Sequence, residues 1–218
     1  MERNPITGHE VAAGTAIEDR SFAIIDALIG THGHTAEQWP IVRRLIHTSG
    51  DPEINPLIQF HPKAVRAGIQ ALQSGCTILA DVKMVQVGLS PRRLAAYGNR
   101  VVNYLSDPKV RALAKQEETT LSVQAMRSAW RDGVLDGAIV GVGNAPTALL
   151  ELIQLMRNEQ VRPALIIGMP VGFVSAAESK EALKLGSPVP WMMIEGTKGG
   201  SPLVVAAIHA LIGLAVEG

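Results

Sequence analysis

Three stretches of the chain share one pattern. They are Ala138-Ile139-Val140-Gly141-Val142 before Gly143-Asn144-Ala145-Pro146, Ala164-Leu165-Ile166-Ile167 before Gly168-Met169-Pro170-Val171-Gly172, and Pro190-Trp191-Met192-Met193-Ile194 before Glu195-Gly196-Thr197-Lys198-Gly199-Gly200. Each is a short apolar run, then a glycine-bearing turn, then a helical stretch: Thr147 to Arg157, a helix from about Ser175, and Pro202 to Ala215. Apolar runs without alternation predict strands covered on both faces. Strands that alternate with helices predict right-handed crossovers and a mostly parallel sheet. The expected fold class is therefore α/β, with residues 1–218 as one domain. Its sheet is flanked by helices and carries glycine-rich loops at the carboxyl ends of the strands.

The first half fits the same plan less regularly. Residues 1–14 are polar and punctuated by Pro5, Gly8 and Gly14, which predicts a short arm. From Thr15, the apolar residues Ile17, Phe22, Ile25, Leu28 and Ile29 recur at near-helical spacing, and Gly30 and Gly33 end the run. Thr35, with Glu37 and Gln38 behind it, reads as the N-cap of a second helix, Thr35 to Thr48, which Ser49-Gly50-Asp51-Pro52 stops. Pro62 suits the first turn of a third helix ending at Gly75. Thr77 to Val82 and Arg100 to Leu105 read as strands, and Pro108 to Arg131 as a long helical stretch broken near Glu118.

Composition removes several function classes. Twenty Lys and Arg balance 20 Asp and Glu, so the chain lacks the basic excess by which a general nucleic-acid binder displaces counterions. Aromatic residues make up 4%, too few for base-stacking platforms. No run approaches the roughly 18 apolar residues of a membrane span, and the first residues lack the apolar core of a secretory signal. A cytoplasmic location is the default expectation. The single cysteine, Cys76, excludes an internal disulfide and any multi-cysteine metal site, and its apolar neighbours predict an inert thiol. No metal site is expected: His32 and His34 are two apart in a loop, with no third ligand in view.

The chemistry is expected at the strand ends. Ligands of open α/β sheets bind at that edge, where helix N-termini present N–H groups and partial positive charge. Anions suit that field. Neither Gly-x-x-x-x-Gly-Lys-Ser/Thr nor Gly-x-Gly-x-x-Gly is present, so no nucleotide fingerprint is found. Lys198, inside the last loop, is placed to hold an anion, and Asn144 sits in the first. Asp81 and Lys83 follow a strand and read equally as edge groups or as an ion pair. Glu178 suits a helix N-terminus, and Lys180 reads as surface. In the second helix, Arg44 and His47 are three apart and share a face. His47 lies near the C-terminus, where the dipole favours a cationic ring, so it is the candidate general acid. A capping histidine beside a solvated arginine is the plainer reading of that pair.

Several stretches together resemble one family. Glu18-Asp19-Arg20-Ser21-Phe22-Ala23-Ile24-Ile25 is similar to its N-terminal helix, and Arg43-Arg44-Leu45-Ile46-His47-Thr48-Ser49-Gly50-Asp51 to its histidine motif. Gly143 to Leu149, Gly168 to Val174 with Ala177-Glu178-Ser179-Lys180, and Gly196 to Ser201 resemble its later loops. The family is precorrin-8X methylmutase, including the cobalt-precorrin-8 form. The resemblance runs in order through nearly the whole chain. It implies an α/β isomerase, a homodimer without a separate cofactor, that moves a methyl group of a tetrapyrrole with many carboxylates from C-11 to C-12. The product is hydrogenobyrinate, or cobyrinate when cobalt is present. It also implies that His47 is the proton donor and that Ser21 and Arg44 contact substrate. Two departures stand out: Thr120-Leu121-Ser122 lacks the arginine of the family's Thr-Arg-Ser stretch, and Glu195 and Thr197 replace two arginines in the last loop. They favour the alternative, a divergent or non-catalytic corrinoid-binding protein, whereas His47 favours the enzyme.

Overall fold

The computed structural model describes residues 12–217. Helix α1, Ala12–Ile29, leads into α2, Trp39–Ser49, and a 3-10 turn, Pro52–Leu57, leads into the short strand β1, Ile58–Phe60. Helix α3, Ala64–Gln73, precedes β2, Thr77–Ala80. Two short helices, α4 (Lys83–Gly88) and α5 (Pro91–Leu94), then connect to β3, Arg100–Val102. Helices α6, Pro108–Gln116, and α7, Leu121–Arg131, lead to the regular half. That half comprises β4 (Ile139–Val142), α8 (Pro146–Asn158), β5 (Leu165–Gly168), α9 (Ala176–Gly186), β6 (Trp191–Ile194) and α10 (Ser201–Glu217).

The six strands form one sheet in the order β1-β6-β5-β4-β2-β3. All pairings are parallel except that of β1 with β6, which places Ile58 opposite Ile194. The expected mostly parallel sheet is present. The antiparallel edge strand is an addition that three residues after a proline-rich turn did not announce. Chain order reverses between β2 and β4: β3 lies outside β2, while β5 and β6 run the other way. Such a reversal opens a crevice at the carboxyl ends of the strands.

Side chains of the strands alternate between two cores. Ile78, Ile139, Ile167 and Met192 join a cluster with α2, α3 and α10, whereas Leu79, Val140, Ile166 and Met193 join one with α7 and α8. Coverage on both faces explains why these strands read as continuous apolar runs. Gly141 in β4 serves packing: a Cβ there would meet Val204 of α10 at 2.7 Å.

Several boundaries differ from the sequence reading. The expected arm falls mostly on residues 1–11, outside the described residues, and helix α1 already includes Ala12 to Gly14. Helix α2 starts at Trp39 rather than Thr35. Gln38, not Thr35, is its N-cap, and Thr35 bonds within the preceding turn: the Gln38 N–H donates to Thr35 Oγ1 at 3.3 Å, and the Thr35 N–H donates to Gln38 Oε1 at 3.0 Å. This reciprocal pair closes a turn before the helix. Helix α3 starts at Ala64, because the Lys63 N–H bonds to the His61 ring two residues before it. The strand from Arg100 stops at Val102, and Asn103 instead donates to the Ala80 carbonyl of β2 at 2.8 Å. The break near Glu118 is present, with Glu118 at a φ of 51°.

Candidate functional site

His47 occupies the last turn of α2, which Gly50 closes in the left-handed conformation (φ 64°), donating its N–H to the Ile46 carbonyl. The apolar stripe of this helix, Ile41, Val42, Leu45 and Ile46, is buried. That orientation leaves His47 exposed on the other face, beside α1. There Ser21 Oγ lies 2.8 Å from His47 Nδ1. The Phe22 ring meets the imidazole edge to face, with centroids 5.4 Å apart. With Nδ1 engaged, Nε2 is the nitrogen with no partner among the described residues. The sequence placed Ser21 and His47 twenty-six residues apart, and the packing of α1 on α2 brings them into contact.

Arg44 is one turn earlier on the same helix. Its Nη1 donates to Glu18 Oε1 at 3.0 Å, and Glu18 is largely buried. The guanidiniums of Arg43 and Arg44 both lie over Phe22, at 4.5 and 5.2 Å from its centroid. Arg43 is paired with Asp26 at 2.8 Å. A guanidinium has five N–H donors, so one bond to Glu18 leaves Arg44 able to hold another carboxylate. A cleft of about 230 Å³ opens here between α1, α2 and α10, lined by Glu18, Phe22, Arg43, Arg44 and His209. Burial, then neighbouring arginines, pushes His209 down to about 4, and its Nε2 accepts from the Ser90 N–H at 3.2 Å. It is a partly buried histidine satisfied by a backbone donor.

Lys198 reaches the same side of the molecule by another route. Its Nζ is 2.6 Å from Asp51 Oδ2 and 3.6 Å from Glu53 Oε2, just beyond the end of α2. The pair raises Lys198 and lowers Asp51, chiefly through their mutual hydrogen bond. The last loop is thus tied to the helix that carries His47. The second and last loops are also bonded to each other, by Gly172 N–H to Thr197 O at 3.1 Å and Gly200 N–H to Met169 O at 2.8 Å.

Asn144 stands apart from this group. Its side chain is exposed after β4, at the reversal of the sheet. Its backbone N–H and that of Ala145 donate to Asp81 Oδ2 at 2.8 and 3.1 Å. Asp81 is therefore neither an open edge group nor paired with Lys83. It is buried and fastens the first loop to the end of β2. Burial raises its pKa, and the backbone N–H groups oppose that shift. The amides of this loop are occupied from within, contrary to the expectation that all three loops offer them to a ligand.

Two residues escaped the sequence reading. Lys180 is 1% exposed, not surface, and donates to the Gly196 and Lys198 carbonyls at 2.7 and 2.6 Å. Its spacing of four from Ala176 and three from Leu183, both buried, was the available signal. Arg93 is half-buried near Arg44 and Glu18. Burial first, then the charge of Arg44, lowers its pKa, while Glu18 opposes. Only the helix start Ser90-Pro91 announced it. Cys76 is partly buried, and burial raises its thiol, as an inert reading requires. Among the described residues no group of three or more metal-type side chains gathers, and no helix is long and apolar enough to cross a membrane.

Fold and site together describe an α/β enzyme. Comparison with known proteins narrows that class. The family model for precorrin-8X methylmutase matches residues 16–214. A cobalt-precorrin-8 methylmutase of Priestia megaterium is 48% identical over 203 residues, covering 93% of this chain and 88% of its own. One of Leptospira interrogans is 44% identical over 204 residues, covering 91% and 93%. The crystal structure of a precorrin-8X methylmutase from Thermus thermophilus superposes with a TM-score of 0.87 at 51% identity, over 94% of this chain and 97% of that one. The chain belongs to the precorrin-8X methylmutase family and is an isomerase of corrin biosynthesis.

Proposed function

We propose that the chain moves a methyl group from C-11 to C-12 of precorrin-8X or cobalt-precorrin-8, with His47 as the proton donor. The contact between Ser21 Oγ and His47 Nδ1 at 2.8 Å carries this reading. In the imidazolium, Nδ1–H donates to Ser21 and Nε2–H is left for the substrate. After the proton is delivered through Nε2, that nitrogen is bare and Nδ1–H still donates to Ser21. A proton placed on the conjugated macrocycle makes it electron-deficient and lowers the barrier to methyl migration. The migrating group keeps both its electrons within the ring system, so no separate cofactor is called for. Ser21 acts first by orienting His47, and then as a contact to substrate.

The many carboxylates of the substrate find their cations at Arg44, and Arg93 stands nearby. Lys198 and Asn144 are the proposed contacts from the loops. Lys198 approaches substrate as half of a pair with Asp51, which gives it direction at the expense of net charge. The working unit is proposed to be a homodimer in the cytoplasm. The exposed Ile17, Ile24 and Leu28 of α1 support an interface, and light scattering at micromolar concentration tests it.

The deciding experiment incubates the purified chain and its His47→Ala variant with precorrin-8X and follows the absorption spectrum. Conversion by the wild type and its loss in the variant support the proposal. Absence of wild-type conversion rejects the enzyme reading, and tight product binding without turnover identifies a carrier instead. Undiminished conversion by the variant removes His47 from the mechanism.

A further inference from the structure

Lys180 is a buried ammonium whose hydrogen-bond partners are both neutral. Its Nζ donates to the carbonyls of Gly196 and Lys198, and no carboxylate of the described residues pairs with it. Glu178 and Glu181, its neighbours on α9, are exposed, and Glu195 is paired with Lys184. A buried charge without a counter-charge is costly, and burial pushes Lys180 down to about 8. An apolar side chain in the same place would avoid that cost. The loop it holds, Glu195 to Gly200, borders a cleft of about 590 Å³, with Lys180 and Gly196 both in its lining.

What the ammonium fixes is the direction of two peptide groups. A trans peptide is planar, with its C=O and the following N–H pointing opposite ways. The Gly196 and Lys198 carbonyls point at Lys180, so the N–H groups of Thr197 and Gly199 point away from it. Neither has an acceptor among the described residues, whereas the neighbouring Gly200 N–H is bonded to Met169 O. Gly199 allows this packing, because a Cβ there would collide with the Met169 carbonyl. Two N–H groups on alternate residues, aligned by one buried charge, form a concavity suited to a carboxylate oxygen.

We infer that Lys180 is a positioning residue. By holding the Gly196 and Lys198 carbonyls inward, it aims the Thr197 and Gly199 N–H groups at a carboxylate of the bound macrocycle. The inference rests on the proposed substrate, a macrocycle rimmed with carboxylates. It assigns to backbone a task for which the missing loop arginines are unavailable.

The test compares the full-length wild type with Lys180→Met, which removes the donors, and Lys180→Gln, which restores two N–H donors without the charge. Lys180→Met is expected to raise KM for the macrocycle about tenfold and leave kcat within about threefold, and Lys180→Gln to recover most of the loss. A lower melting temperature in both variants with unchanged kinetics overturns the inference, since it marks a merely structural role. A fall in kcat at constant KM overturns it as well. Should the variants fail to fold, amide hydrogen exchange of the wild type decides: the corrin product must slow exchange at Thr197 and Gly199, and no slowing overturns the inference. If the wild type binds product without turning over substrate, the methyl-migration reading fails, and product affinity replaces KM in the same comparison. A wild type that neither converts nor binds the macrocycle overturns both.

Discussion

The corner of α1 and α2 and the loop from Glu195 to Gly200 both bring positive charge to the proposed site, by opposite means. At the corner, cations are held by anions: Arg44 by Glu18 and Arg43 by Asp26, over the Phe22 ring. In the loop, a buried ammonium is held by two carbonyls, and the peptide dipoles it aligns face outward. The corner can present a group that gives up a proton. The loop presents outward peptide N–H groups and one ammonium, Lys198, that is already paired with Asp51. Chemistry is therefore expected at the corner and substrate affinity at the loop, with the Lys198–Asp51 pair as the strut between them.

Removing the acid tests this division most severely. His47→Ala should lower kcat by about 10²- to 10⁴-fold, the usual contribution of general acid–base catalysis, with little change in KM. Single-turnover absorbance measures it, and a large rise in KM at constant kcat would reverse the roles of the two regions. Ser21→Ala should lower kcat about tenfold through loss of one orienting hydrogen bond. If it changes KM alone, Ser21 belongs to binding and not to the corner's chemistry.

A smaller effect belongs to Lys180. Its pKa falls from 10.5 to about 8 on folding, so between those values the unfolded chain binds more protons. Stability contributed by this site should rise as the pH goes up from about 8 towards 10.5, and be lowest below 8. Melting curves of the wild type minus those of Lys180→Met should show that slope, and its absence would mean the ammonium is not buried as described. The smallest effect is expected from Asp51→Asn, which cuts the strut. Exposed pairs contribute little, so the melting temperature should hardly move. Any consequence should appear in substrate affinity, measured by titration with product.

The sequence carried the regular half of the fold because β4, β5 and β6 are buried on both faces and each ends in a turn. The strands and helices found there lie within a few residues of those expected. It missed β1 because three residues paired at an edge leave no periodicity, and their partner Ile194 is more than a hundred residues away. His47, Ser21 and Arg44 were legible through motif resemblance, but their mutual contact was not: Ser21 Oγ and Nδ1 meet only because α1 folds back on α2. Lys180 was misread because lysine is almost never fully buried, a rule that its helical spacing contradicted. Asp81 was misjudged for a related reason. Its partners are backbone N–H groups, which residue identities do not reveal.

The Asp81 clasp also gives the sheet edge a sense of left and right. With the Asn144 and Ala145 amides already turned to a carboxylate of the protein itself, the β2–β4 end has less backbone to offer a second one. The β6 end, with the Thr197 and Gly199 amides, does not share that restriction. A disc-shaped molecule ringed with acid groups would meet two unequal sides and settle with one sector of its rim toward β6. For a reaction that must distinguish one carbon of a near-repetitive ring from its neighbours, fixing the rotation of the disc matters as much as holding it.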